Sequence, residues 1–257
     1  MEYIVICIIS FLGSGLTLFS GFGLGTLLTP VFAIFFPVEL AIAMTAIVHF
    51  LNNVFKFFLL GKHANKGVVL KFGIPSLVAA FLGAWLLTKI SDMQPLFSYS
   101  MNDTVFHITP VKLTIGVLLI IFSLAEVLPV FSKLAFKNEH LILGGLLSGF
   151  FGGLSGNQGA LRSAFLVKAN LSKEQFIATG ILIACIVDVS RLIVYNKLDA
   201  LKTGEVNYTL IGASVLCAFA GAYLGNIFIK KVTIGFIQKL VTIMLLVFAI
   251  LLGAGIL

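Results

Sequence analysis

The chain has 257 residues, 60% of them hydrophobic and 11% charged, with a mean hydropathy of +1.13. Apolar runs of about 20 residues recur along it, the length a helix needs to cross a bilayer core, so composition excludes a soluble globular domain and predicts an all-α polytopic membrane protein forming a single membrane domain over 1–257. The net charge of +7 would suggest nucleic acid in a soluble protein; here Lys and Arg punctuate apolar segments and report topology instead, so no nucleic-acid partner is expected.

In chain order, Met1-Glu2-Tyr3 has neither the cationic start nor the small-residue cleavage site of a secretory leader, so the first apolar run is expected to be retained. That run, residues 3–36, would extend roughly 50 Å as one helix against a hydrocarbon core of about 30 Å, and Ser20-Gly21-Phe22-Gly23-Leu24-Gly25 interrupts it. It must bend, and it reads as a broken helical hairpin. Full-length helices are predicted next, at about 38–60, 66–90 and 110–131. Residues 141–168 then repeat the first problem, with Gly152-Gly153-Leu154-Ser155-Gly156-Asn157-Gln158-Gly159 at the interruption, before further helices at about 172–195, 205–230 and 235–256. Cys7, Cys185 and Cys217 lie inside apolar segments without metal-ligand spacing, so they read as small buried hydrophobes, with no disulfide and no metal expected.

Charge gives the parity of the hairpins. Lys56, Arg162 and Arg191 fall inside apolar segments. If each hairpin crosses an even number of times, Lys62, Lys66, Lys71, Lys133, Lys137, Lys168, Lys173, Lys230, Lys231 and Lys239 share one side, against Lys89, Lys112, Lys197 and Lys202 on the other. A single crossing per hairpin would divide the same cations evenly and leave no orientation signal, so even crossing is predicted, with both termini outside the cytoplasm. The halves also echo each other. Phe81-Leu82-Gly83-Ala84-Trp85-Leu86 is matched by Phe219-Ala220-Gly221-Ala222-Tyr223-Leu224, and Gly25-Thr26-Leu27-Leu28-Thr29 by Gly159-Ala160-Leu161-Arg162-Ser163. Repeat one covers about 1–131 and repeat two about 139–257. One hairpin plus three crossings is an odd count, so the repeats are expected to be inverted, with the substrate near the midplane between two re-entrant helix tips.

A helix broken inside the bilayer frees N–H groups that hydrocarbon cannot satisfy, so each tip must line something polar, and a restarted helix presents its positive dipole end to an anion. Gly23, Gly25, Ser155, Gly156, Asn157 and Gln158 are therefore candidate substrate-binding residues, with Arg162 one to two turns into the restarted helix as a guanidinium clamp. The bland alternative is that the glycines only permit close packing and that Arg162 snorkels. In 38–60, His49, Asn52, Asn53 and Lys56 fall at i, i+3, i+4 and i+7, one polar stripe with Thr45 a turn earlier. Asn52 and Asn53 join the binding candidates as amide donors, and His49 and Lys56 are candidates for gating or coupling. Asp188 and Arg191, with Tyr195, form the matching stripe of the second half, where Thr179 aligns with Thr45; Asp188 and Arg191 are also gating or coupling candidates, although Asp188 alternatively only neutralises Arg191, and Lys56 and Arg191 alternatively snorkel to opposite faces.

The segment Gly21-Phe22-Gly23-Leu24-Gly25-Thr26-Leu27-Leu28-Thr29-Pro30, the Thr- and Asn-bearing helix after it, and Gly152-Gly153-Leu154-Ser155-Gly156 resemble the sulfite exporter TauE/SafE family over essentially the whole chain. The resemblance implies a bacterial inner-membrane permease for sulfite, sulfoacetate, other sulfonates or related small organic anions, often in the export direction. The family commonly shows more glycine after the second break, where Asn157, Gln158 and Arg162 stand here. The expected partners are a small anionic substrate and the lipid bilayer, with a homodimer as a further option and no cofactor. Two rival readings are a passive anion channel and an intramembrane serine hydrolase using Ser155 in the G-x-S-G form of Gly153-Leu154-Ser155-Gly156; the hydrolase would have to recruit His49 from the other repeat, since no histidine follows His140.

Overall fold

The computed structural model describes residues 1–20, 23–101, 103–127, 136–198, 206–228 and 234–257. Gly21 and Phe22 of the first break, and Lys133, Lys202, Lys230 and Lys231 of the charge count, lie outside the described residues. The helices are α1 (Glu2–Ser20), α2 (Leu24–Ala33), α3 (Val38–Leu60), α4 (Lys66–Ser91), α5 (Pro110–Val127), α6 (Leu141–Ser155), α7 (Gly159–Leu166), α8 (Lys173–Tyr195), α9 (Tyr208–Phe228) and α10 (Ile234–Gly253). Four helical stretches, Val38–His63, Lys66–Ser91, Lys173–Tyr195 and Tyr208–Gly225, are long and apolar enough to cross a bilayer, which makes this a multi-pass, mostly helical membrane protein.

Both interrupted runs fold back on themselves. Gly13 of α1 lies against Leu24 and Leu27 of α2, and Gly144 of α6 lies against Phe165 of α7 while the Ser148 hydroxyl donates to the Gln158 carbonyl at 3.2 Å. The second limb of each hairpin is short: α2 has 10 residues and α7 has 8, about 15 and 12 Å of rise. Gly156 ends α6 at φ 80°, a left-handed conformation that reverses the chain after a helix and suits glycine.

One short β-hairpin stands beside the helices of this otherwise helical fold. Strands β1 (Phe97–Met101) and β2 (Thr104–Ile108) pair antiparallel, Phe97 opposite Ile108 and Met101 opposite Thr104, around a turn where Asp103 has φ 61°. Tyr99 and Phe106 stack across the pair at 5.3 Å, and the Tyr99 hydroxyl donates to the Ala254 carbonyl at 2.8 Å, so the hairpin caps the end of the molecule that holds the last residues of the chain. Its alternation, Phe-Ser-Tyr-Ser-Met and Thr-Val-Phe-His-Ile, is a period of two that a search for 20-residue apolar runs passes over.

Packing between the halves runs through small residues. Gly145, Gly149 and Gly153 present one face of α6 to the backbone of α4 at Phe72, Ser76 and Ala80, and Gly83 of α4 returns the contact at Phe150. The numbering rises together on both helices, so α4 and α6 run parallel at backbone contact. Gly221 and Gly225 of α9 meet α1 at Phe11 and Gly15 in the same parallel sense. With no hydrophobic drive between helices in lipid, such close approach supplies the dispersion contacts that hold them together. Helices α3 and α8 instead run antiparallel: His49 meets Asp188 near one level, and the Asn65 N–H just after α3 donates to Thr179 near the start of α8 at 2.9 Å. Helices α5 and α10 are also antiparallel, Gly116 against Ala249 and Gly253, with Lys112 Nζ donating to the Gly255 carbonyl at 3.4 Å.

A Cβ at Gly153 or Gly221 overlaps a backbone carbonyl of the facing helix, whereas one at Gly212 meets nothing within 4 Å. Gly153→Ala and Gly221→Ala should each destabilise the purified protein by about 1–3 kcal/mol, the usual cost of overpacking, and lower its melting temperature in detergent, while Gly212→Ala should melt like the parent.

Candidate functional site

The two breaks meet in the interior. Gly25, in the first turn of α2, faces the Gly156 carbonyl at the end of α6, and the Thr45 methyl and the His49 ring of α3 close the same junction. Gly23 caps α2 in an extended conformation with no side chain on the helix end, and the first local bond is from Thr26 N–H to the Gly23 carbonyl at 3.1 Å. The N–H groups of Leu24 and Gly25 therefore precede the hydrogen-bonded turns, as at any helix start.

Beside this end lies a cavity of about 50 Å³, lined by Gly23 and Leu24, by His49, Asn53 and Lys56 of α3, by Arg162 of α7 and by Gly180 of α8 among others. Among the described residues no carboxylate lines it. Lys56 does not snorkel: it is 4% exposed, and its Nζ donates to the Ser14 carbonyl of α1 at 3.2 Å. Arg162 extends across Gly180, where a Cβ would stand 3.4 Å from Nε, so the glycine makes room for the guanidinium. Its Nη1 is buried without a hydrogen-bond partner. An unpartnered buried donor costs about 1–3 kcal/mol, a cost that an anion in the cavity would remove.

Behind the cavity is a buried ion-pair cluster. Asp188 accepts from Arg191 Nε on Oδ1 at 2.9 Å, with Nη2 at 2.8 Å, and its Oδ2 is 2.6 Å from His49 Nδ1 and 3.4 Å from Asn53 Nδ2, which donates to it. Asp188 and Arg191 are both 0% exposed. Arg191 thus stays inside the protein instead of reaching a membrane face, and its guanidinium lies against Gly156. Asp188 neutralises Arg191, as one reading of the sequence had it, and also engages the histidine of the other half. The Tyr195 hydroxyl donates to the Gly153 carbonyl, tying α8 to the end of α6.

The remaining candidates are placed elsewhere. Asn52 points away from the cavity, and with its amide oxygen toward Lys56 it links Lys56 Nζ at 3.2 Å, the Ser14 hydroxyl at 3.0 Å and the Ala218 carbonyl at 3.3 Å, a clasp between α1, α3 and α9. Ser155 donates to the Phe151 carbonyl at 3.0 Å and accepts from Asn157 N–H at 3.3 Å, which shapes the break. Its hydroxyl has backbone partners, while His49 is held by Asp188 and Asn53, so the pair a serine hydrolase requires is not assembled. Asn157 borders a separate small cavity with Thr26 and Ser123, and the amides of Asn157 and Gln158 are buried without partners. Gly25 and Gly156 form the junction of the tips and do not line the cavity beside the start of α2. Sequence reasoning missed Ser14, whose carbonyl and hydroxyl hold Lys56 and Asn52, and Gly180, which stands next to Thr179 and makes space for Arg162. The pairing of Gly180 with the Thr179 that aligns with Thr45 was the available signal.

The family model for "Sulfite exporter TauE/SafE" matches residues 6–252. No curated protein and no solved structure matches the chain. The matched range takes in both hairpins, the cavity and the ion-pair cluster, so the whole described arrangement falls within the family's extent. The chain belongs to the sulfite exporter TauE/SafE family and is a membrane transporter, a permease for sulfite or related sulfur anions.

Proposed function

We propose that the cavity between the two hairpins is the substrate site of a secondary transporter, that it binds one small oxyanion such as sulfite or the head of a small sulfonate, and that transport runs outward across a bacterial inner membrane. The observation that carries this is the charge of the lining: Lys56, Arg162 and the N-terminus of α2 converge on one cavity that, among the described residues, no carboxylate lines. Size agrees with it, since about 50 Å³ is several times the roughly 10–15 Å³ that one water requires on the same measure, room for a compact anion. The planar fork of Arg162 suits two oxygens of a sulfonate or sulfite, Lys56 adds a point charge, and Asn53 and His49 offer further polar contacts. Asn52 acts through Lys56 by holding its ammonium in place.

In this proposal the halves are inverted repeats and both hairpins are re-entrant. The packing supports it: exchanging the halves exchanges the parallel α4–α6 pair with the parallel α9–α1 pair, and returns the antiparallel α3–α8 and α5–α10 pairs to themselves. The antiparallel α3–α8 pair is what an even number of crossings per hairpin requires, and limbs of about 12–15 Å are too short to cross a core of about 30 Å. Both breaks then lie near the midplane, and rocking of one repeat against the other exposes the site alternately to the two sides.

Arg162→Lys keeps the charge and loses the fork, so equilibrium binding of sulfite should weaken about tenfold with folding retained, and Arg162→Ala should weaken it about a hundredfold or more. Parent-like affinity in both variants would remove Arg162 from the site. For topology, single cysteines at Lys66 and Lys137 should be labelled from the cytoplasm and one at Asp103 from the opposite side; labelling of Lys66 and Lys137 from opposite sides would contradict the inverted arrangement.

A further inference from the structure

His49, with Asn53 beside it, joins the cavity to the buried Asp188, and of the two only the imidazole can take up a proton. Its Nδ1 edge meets the buried Asp188, and its Nε2 edge faces Gly23, where a Cβ would stand 3.4 Å from Nε2, on the side of the cavity. Resting on the anion-site reading above, we propose that His49 takes up a proton on Nε2 when the anion enters, so that this permease carries its anion together with a proton.

The tautomer supplies the reason. A carboxylate is an acceptor only, and both oxygens of Asp188 are engaged, Oδ1 by Arg191 and Oδ2 by His49. Arg191 donates to Oδ1, so Asp188 faces His49 as an acceptor and the hydrogen between Asp188 and His49 resides on Nδ1. A neutral ring with its hydrogen on Nδ1 turns the Nε2 lone pair toward the cavity. An oxyanion beside that lone pair is repelled; a proton on Nε2 turns the same edge into a charged donor to the anion.

The charges that face His49 enforce the order of events. They are Asp188 and Arg191 from α8, Lys56 from α3 itself and Arg162 from α7 across the cavity; α2 and α9, also packed on α3, carry no charged residue. With the cavity empty, Lys56 and Arg162 oppose a further positive charge on the ring. An anion between them reverses that field and raises the proton affinity of His49. The proton comes from solvent and leaves with the anion when the site opens to the other side. Carriage of a monovalent sulfonate with one proton moves no net charge, so its flux should follow the sum of the anion and pH gradients and ignore the membrane potential; outward transport then requires an internal anion excess larger than the opposing pH gradient.

Asp188 is on this account a positioning residue, and Asp188→Asn isolates its role. Arg191 still requires an acceptor and keeps the amide oxygen, which turns the amide N–H toward Nδ1 and moves the ring hydrogen to Nε2. The neutral ring is then already a donor to the cavity, so an anion binds without a proton. The experiment is calorimetric titration of the purified protein with methanesulfonate and with sulfoacetate, in buffers of different ionisation enthalpy near pH 8, where an ordinary histidine is neutral (about 6.5 unperturbed). The parent should take up roughly one proton per anion bound, and its affinity should fall as pH rises. Asp188→Asn should bind with uptake near zero and affinity independent of pH, and His49→Gln, which serves also if Asp188→Asn does not fold, should bind more weakly and likewise without uptake. Undiminished uptake in both variants, or in His49→Gln alone if the other does not fold, would overturn the proposal and assign the proton to Lys56. Binding by the parent with no uptake would overturn it as well. Failure of the parent to bind either anion would instead contradict the anion-site reading on which it rests.

Discussion

A transmembrane helix that stops within the bilayer leaves backbone N–H and C=O groups that lipid cannot satisfy, and in the proposed arrangement this protein has two such stops. Each break must be covered by protein. Placing them against each other, Gly25 beside the Gly156 carbonyl, lets each hairpin shelter the other's tip. The hairpins are in turn held by the opposite half: α6 packs along α4, and α1 along α9, at backbone contact through glycine. The small residues are thus the means by which each half supports the other's interruption, and close packing and polar function are not alternatives here.

The same covering explains how several charges sit in so apolar a chain. Asp188 stands between Arg191 and His49, so each charge has a partner at hydrogen-bond distance and the cluster approaches neutrality. Among the described residues Lys56 and Arg162 have no carboxylate partner: Lys56 has the Ser14 carbonyl and the Asn52 amide oxygen, and Arg162 has the space beside Gly180. A cation without a counter-charge in a membrane interior is expensive, and these two share one cavity. That contrast separates the groups that maintain the fold from those available to a ligand.

Much of this was legible in the sequence because the membrane makes a few signals strong. Helix lengths, the two broken runs and the matched Gly83 and Gly221 follow from the bilayer's thickness and from the rule that only small residues allow helices to touch. The stripe of His49, Asn52, Asn53 and Lys56 is buried on all four members, as a period of 3.6 implies. The roles within that stripe were not legible. Adjacent Asn52 and Asn53 differ by about 100° around the helix, which sends one to Ser14 and Ala218 and the other to the cavity, and only the neighbouring helices decide which. Likewise the sequence pointed to both tips, Gly23 and Gly25 as well as Ser155-Gly156-Asn157-Gln158, and of these residues the cavity is lined by Gly23, with Arg162 and its neighbours further along α7 coming from the second hairpin. The β1–β2 hairpin escaped because it is short and lies between membrane segments, where apolar-run length carries no information.

The central claim is that a net-positive cavity at the meeting of two broken helices holds a compact oxyanion, and ligand-induced thermal stabilisation of the purified protein tests it most directly. A ligand that binds the folded state at about 100 times its Kd adds roughly 2.7 kcal/mol, enough to be read as a melting shift of degrees. Sulfite and small sulfonates should raise the melting temperature in a concentration-dependent way, and cations of similar size should not. No shift with any small anion, or an equal shift with cations, would contradict the account.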